Sequence, residues 1–543
     1  MNSSRCESSG IHFSFKNLLF LYCYNKQTKT MTSISDNKRV AKNTLVLYFR
    51  MLFMMLIGLY TSRINLQSLG VEDFGIYNVV GGIVVMFSII NGSITASISR
   101  FLTFEIGTGN IEKLKKVFST SVTIQISISL VILLLAETIG LWFLNNKMVI
   151  SESRIYAANW VYQFSIMTFI LNLISMPYNA CIVAHEKMSA FAWITIYDAI
   201  AKLLIAWLTF ISPMDKLIFY AGFIVLIAFT QRMIYTSYCL HNFEECHYKF
   251  IIDKKLLKEM SGFAGWNFIG ASSAILRDTG GNIVINLFCG PTVNAARAIA
   301  DRVNSAVLGF SNSFMTALNP QITKSYASGD HSNMINIIYK GAKFSFFLML
   351  LLGLPVIIES EYIINLWLGQ IPNHTVSFVQ LTILYAMSES ISGPLITAML
   401  ATGKIKNYQI VVGGLQMLNF PISYICLRLG YIPETVMIVA IILSQCCFAA
   451  RIYMLKSIIN LNIINYLRNV YFRILFTLMI AFILPITAKN FTDNTLQNFF
   501  FIICISLISA CTSILYIGCN NNERKFIFSN ILNLKNKIFK QKK

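Results

Sequence analysis

Long apolar runs dominate the chain, and short polar turns interrupt them at regular intervals. Runs such as Ile124–Leu135, Phe219–Phe229, Phe344–Ile358 and Phe499–Ile517 each lie in a window that reaches the ~20 residues a membrane-spanning helix needs. The pattern predicts spans near 44–66, 74–98, 117–144, 156–184, 191–212, 217–239 and 261–287. A second series follows near 292–318, 342–366, 376–402, 408–429, 433–456, 468–488 and 496–518. The predicted fold is an all-α polytopic membrane protein with about fourteen transmembrane helices. The 292–318 segment is the most polar, because it holds Asn294, Arg297, Asp301, Arg302 and Asn304.

Charge placement decides whether that polar segment crosses, since Lys and Arg collect in cytoplasmic loops. With every span counted and the N-terminus inside, Lys113, Lys115, Lys116, Lys187, Lys249, Lys254, Lys255, Lys258, Lys324, Lys340, Lys404, Lys406, Lys456 and Arg468 all fall on one side. Removing the 292–318 span would invert the rest and send the basic tail (Arg524, Lys525, Lys535, Lys537, Lys540, Lys542, Lys543) to the far side. Both termini are therefore expected in the cytoplasm of a bacterial inner membrane. The net charge of +20 is spread through loops and tails, which orients helices and argues against nucleic-acid binding. Composition agrees: 55% of residues are hydrophobic and 13% charged, against roughly a quarter charged in soluble domains.

A weak internal repeat is visible when the chain is slid along itself by 220 residues: Leu69-Gly70 falls on Cys289-Gly290, and Thr108-Gly109-Asn110 on Ser328-Gly329-Asp330. Duplicated halves are a common transporter plan. The expected organisation is a cytoplasmic segment 1–43, bundles at 44–239 and 261–456, two further helices in 468–518, and a basic tail 519–543. Asn17–Tyr24 is apolar but too short to span, so residues 1–30, which precede Met31, are expected to be a dispensable upstream extension. Most of the twelve cysteines, including Cys181, Cys426, Cys446 and Cys447, lie in apolar segments without paired C-x-x-C spacing. Buried cysteine behaves as a small hydrophobe, so no metal, cofactor or structural disulfide is expected.

Ionisable groups inside spans carry the functional information, because each costs roughly 2.5–3.5 kcal/mol near the bilayer centre. Asp198 and Lys202 are four apart, spaced to pair on one helix face. Arg277 and Asp278 precede Asn282 and Asn286 on a polar stripe, and Asn294, Arg297, Asp301 and Ser305 share a face in the next span, with Arg302 close beside it. Arg donates paired hydrogen bonds to phosphate oxygens, and Asn can bond sugar hydroxyls. Candidate substrate-binding residues are thus Arg277, Arg297, Arg302, Asn282, Asn286 and Asn294. Candidate cation-coupling residues are Asp198, Lys202, Asp278, Asp301 and Glu389. An ion pair that only orders the fold is the alternative for Asp198–Lys202 and for Arg297–Asp301.

Arg297, Arg302, Asn319-Pro320-Gln321 and 324–330 (KSYASGD), with 69–77 (LGVEDFGIY) after the first span, resemble polysaccharide biosynthesis proteins of the flippase type. These belong to the multidrug/oligosaccharidyl-lipid/polysaccharide exporter superfamily. The resemblance covers roughly residues 38–456, weakens over the last two spans and is absent from 1–30. It implies two pseudo-symmetric bundles of about six helices around a cavity that opens alternately to either side, with the last two helices appended. It also implies transport of a polyprenyl-diphosphate-linked oligosaccharide for a surface glycan such as O-antigen or capsule, with the polysaccharide polymerase machinery as a candidate partner. Two rivals are a cation-coupled drug exporter of the same superfamily and an O-antigen polymerase or ligase. The polymerase would need catalytic groups in a large outer loop, and the longest, near Asn145–Ile155, is short and holds no such cluster. The exporter would want an acidic cavity, whereas Lys202, Arg277, Arg297 and Arg302 offset the acids here.

Overall fold

A computed structural model of the chain describes residues 42–529, apart from 81–87 and shorter stretches at 59, 66, 71–72, 75, 78–79, 148–150, 251–252, 369–370, 494 and 526–527. The extension 1–30 and the tail from 530 lie outside the described residues. Among the described residues there is no strand. Within the described residues eleven helices are long and apolar enough to cross a membrane: α1 (Lys42–Gly70), α3 (Ile111–Asn146), α4 (Glu152–Ala184), α5 (Met188–Ile211), α6 (Lys216–Asn242), α8 (His331–Ile358), α9 (Thr375–Thr402), α10 (Lys406–Arg428), α11 (Thr435–Ile459), α12 (Ile463–Asn490) and α13 (Leu496–Gly518). Helix α2 (Ser88–Thr108) and the long α7 (Lys254–Ala327) are more polar. The span predicted at 342–366 divides into α8 and a short helix, Ser360–Leu368, because Pro355 and the Glu359 cap close α8 earlier.

Helix α7 joins the spans predicted at 261–287 and 292–318 across a kink at Gly290, where φ is 81° and ψ 177°. That conformation is open essentially to glycine alone. The repeat seen in the sequence is present in the backbone. Gly70 and Gly290 take φ of 82° and 81°, and Gly109 and Gly329 take 74° and 76°. Asn110 and Asp330, also 220 apart, cap α3 and α8 by accepting from the backbone N–H three residues on. The segment predicted at 292–318 is helical throughout, within the more polar α7 that is not among the eleven apolar candidates.

Helices α4 and α6 pack together and α2, α3 and α5 join them, while α7, α8, α9 and α11 form the second group. Helices α12 and α13 pack on each other and on α8. The largest buried cluster runs through both groups, from Phe118 and Cys181 to Phe378 and Leu455. The two groups meet chiefly along α2 and α7.

Candidate functional site

The junction between the groups is tight at the end that carries the loop lysines. Ser97 Oγ donates to the Met260 carbonyl at 2.9 Å, and Arg100 Nη2 to the Ala401 carbonyl at 3.1 Å. Arg100 also lies over the rings of Phe101 and Phe104 at 4.6 and 4.7 Å. In the turn between α4 and α5, Glu186 accepts from Lys324 Nζ at 2.9 Å and from Gln321 Nε2 at 3.4 Å. Its backbone is left-handed, φ 59°, an unfavourable state for a residue with a side chain. Nearby, a Cβ on Gly107 would come within 2.7 Å of the Ala327 Cβ, so only glycine lets α2 and α7 cross this closely. Farther along α1 and α7, Tyr48 meets Phe310 at 5.5 Å and Met51 covers Gly309.

Away from these contacts α7 presents a different surface. Ala295, Ala298, Arg302, Ser305 and Asn312 are exposed along one face of its second half. Spacings of three, four and seven residues keep them in line. Small and polar side chains would make a poor lipid-facing surface; compare Leu130, Val131 and Leu134, exposed on α3. The face is suited to a wet cleft. Among the described residues Arg302 has no ion-pair partner. Asn286 is exposed on the first half of α7, and Asn282 and Asn294 are half-buried.

The other arginines predicted for the site are engaged within the second group. Arg277 grips its neighbour Asp278 through two hydrogen bonds of 2.8 and 2.9 Å and lies over the Tyr385 ring at 5.2 Å. Asp278 itself is exposed. Arg297 is 6% exposed, pairs with Asp301 at 3.3 Å and reaches the Met437 sulfur on α11. It points into the helix packing, whereas Arg302 points out of it. Glu389 accepts from Ser444 Oγ at 2.9 Å and lies 3.8 Å from Arg451. Arg451, 1% exposed within α11, was not singled out from the sequence, although a charge inside an apolar run is the signal that marks it. In the first group, Lys202 bonds Asp198 at 2.7 Å across one turn of α5.

A cavity of about 340 Å³ lies beside the junction, between α2, α3 and the first half of α7. Ile94, Ile98, Ile124, Ile128 and Phe268 line it with a few serines. Gly265 and Phe268 on its rim are exposed.

The model of the polysaccharide biosynthesis protein family matches residues 40–326, more than half of the chain. The chain belongs to this family. The MatE model matches residues 279–425, across the kink in α7 and into α10. No curated protein matches the chain. Among solved structures, an outward-facing multidrug resistance MATE family transporter of the MOP superfamily aligns with TM-score 0.68 at 11% identity, over 78% of this chain and 96% of its own. A Vibrio cholerae MATE transporter in its bent form aligns with TM-score 0.64 at 14% identity, over 78% and 98%. A MOP superfamily transporter from Pyrococcus furiosus, described as having a binding pocket of reverse polarity, aligns with TM-score 0.64 at 11% identity, over 78% and 96%. This member of the polysaccharide biosynthesis family is therefore a multi-pass membrane protein with the MATE-like transporter fold.

Proposed function

We propose that the protein is a flippase that carries a polyprenyl-diphosphate-linked oligosaccharide across the inner membrane by alternating access. In this reading the basic end faces the cytoplasm, about fourteen segments cross, and the cleft stands open to the outside. The observation that carries it is the exposed polar face of α7, where Arg302, without an ion-pair partner among the described residues, stands with Ala295, Ala298, Ser305 and Asn312. An anionic headgroup entering hydrocarbon needs its lost water replaced, and a guanidinium does so with charge-assisted hydrogen bonds. Arg302 makes the first contact with diphosphate, and Asn286 and Asn294 contact sugar. Arg277 with Asp278 supplies a second cationic position when its internal pair opens. Arg297 and Asn282 support α7 from within. Glu389, held between Ser444 and, at 3.8 Å, Arg451, is the favoured coupling site over Asp198, whose ion pair with Lys202 is tighter at 2.7 Å. Glycan polymerase machinery is the natural acceptor of the released cargo.

The MatE match favours one rival, a cation-coupled drug exporter. Complementation of glycan export in a flippase-deficient strain separates the two. Arg302→Ala at normal protein abundance should lower export at least about tenfold, and Arg302→Lys should restore part of it, since Lys keeps the charge and loses the fork. Wild-type chain that confers drug resistance without restoring export would overturn the flippase reading.

A further inference from the structure

We infer that the basic end of the first helix group holds a zinc-class metal site formed by Cys181, His185, Glu245 and Cys246. Cys181 and His185 are one turn apart at the end of α4, and Glu245 and Cys246 sit in the short turn that follows α6. The ligand atoms of Cys181, His185 and Glu245 all lie within 4.8 Å of one another. The Cys181 and Cys246 sulfurs are 3.5 Å apart, the Cys181 sulfur is 3.4 Å from Glu245 Oε1, and His185 Nε2 is 2.5 Å from the same oxygen. Bonds of about 2.3 Å to sulfur and 2.0–2.1 Å to nitrogen put the edges of a tetrahedral site at roughly 3.3–3.8 Å. The two contacts of the Cys181 sulfur need little or no movement, the His185–Glu245 bond must open by about 1 Å to admit an ion, and the Cys246 sulfur, which touches Cys181 but stands outside the 4.8 Å group, must turn toward the other ligands.

Burial makes this set unusual. Cys181 and Cys246 are fully buried and Glu245 is 5% exposed. A single buried thiol is a small hydrophobe. Two of them converging on an imidazole and a buried carboxylate form a mixed sulfur, nitrogen and oxygen donor set of the kind zinc prefers. A third thiol, Cys239, bonds the Tyr178 carbonyl beside them, and the His185 ring is stacked on Phe243 at 4.2 Å, which holds the imidazole edge toward the cluster. Binding releases the two thiol protons and requires the imidazole proton on Nδ1, leaving Nε2 to the metal. The ion would tie the α4–α5 turn to the segment after α6, one residue from Glu186 and its contact with Lys324.

The test uses the full chain purified in detergent with a reductant, loaded with zinc, desalted and assayed for metal by mass spectrometry. About one zinc per chain is expected. His185→Ala and Cys246→Ser should bring it to background, and the exposed Cys504→Ser should leave it unchanged. Cobalt in place of zinc should give a thiolate-to-metal absorption band that Cys181→Ser weakens. Glu245→Gln, nearly isosteric and read only in samples that elute as a single folded species, should weaken zinc binding at least about tenfold. Background zinc in the folded wild type, zinc indifferent to all these substitutions, or a Cys181–Cys246 disulfide persisting under the reductant would each overturn the site.

Discussion

Arg154 shows how much one side chain can organise. It bonds Asp73 after α1 and Asp215 before α6, the latter at 2.6 Å, so the start of α4 and two other segments at the end opposite the loop lysines share one guanidinium. Its counterpart 220 residues on is His374, which bonds Glu434 at 2.7 Å. Arg154→Ala should cost roughly 1–3 kcal/mol and lower the Tm in detergent, and Arg154→Lys should recover less than half, because an ammonium cannot bridge two carboxylates with a fork. Burial pushes the Asp215 carboxyl up, but the Ile218 N–H and Arg154 outweigh it and leave it below the usual carboxylate range. A lowered folded-state pKa means stability fully present above about pH 4 and lost as pH falls through the folded value. The wild-type Tm should therefore fall more steeply in acid than that of Arg154→Ala; equal slopes would refute the clamp. The loops lie far apart in sequence, so nothing in the spacing of Asp73, Arg154 and Asp215 announces their meeting. The same holds for Cys181 and Cys246, although the i, i+4 pairing of Cys181 with His185 was legible. From the sequence Arg297 and Arg302 are both expected in one cavity, whereas five residues turn a helix by about 140° beyond a full circle, and here Arg297 is buried and Arg302 exposed.

Among elements, α7 carries most of the information. Its predicted halves were legible as separate spans because positive-inside counting required both, and the glycine between them fell on the internal repeat. That the halves meet directly at a kink on Gly290 was not legible, since glycine in sequence marks a turn as readily as a kink. Alanine at Gly290 would meet no neighbouring atom, so its cost is backbone strain alone, about 1–3 kcal/mol. We expect Gly290→Ala to lower the Tm and slow export while Gly262→Ala, also without a near neighbour and in helical backbone, does neither. Equal effects of the two would show that the kink conformation is dispensable.

For the whole molecule, under the proposed function, the contacts at the basic end set which side is closed. Glu186–Lys324 and Arg100–Ala401 join the groups there, and an inward-open state has to break them. Glu186→Ala should shift the population toward that state by roughly tenfold, read as spin-label distances between α2 and α7 or as new thiol accessibility of Ser97→Cys from the cytoplasm. The exchange Glu186→Lys with Lys324→Glu should restore the closed end; no shift in either would remove the contact from the gating cycle. The two-group architecture was foreshadowed by a handful of glycines, but which end is closed depends on side chains that meet only after folding.

The small apolar cavity beside the junction bears on the energetics of the tail rather than the head. A polyprenyl chain leaving hydrocarbon for a wet cleft would forfeit about 0.8 kcal/mol for each methylene exposed, a penalty that grows with every isoprene unit. Ile94, Ile98, Ile124, Ile128 and Phe268 offer the first stretch of that chain an oily foothold at the edge of the protein. Under the proposed function, most of the lipid never has to dissolve in the transporter: it stays in the bilayer and swivels, while only the sugar-bearing end makes the crossing.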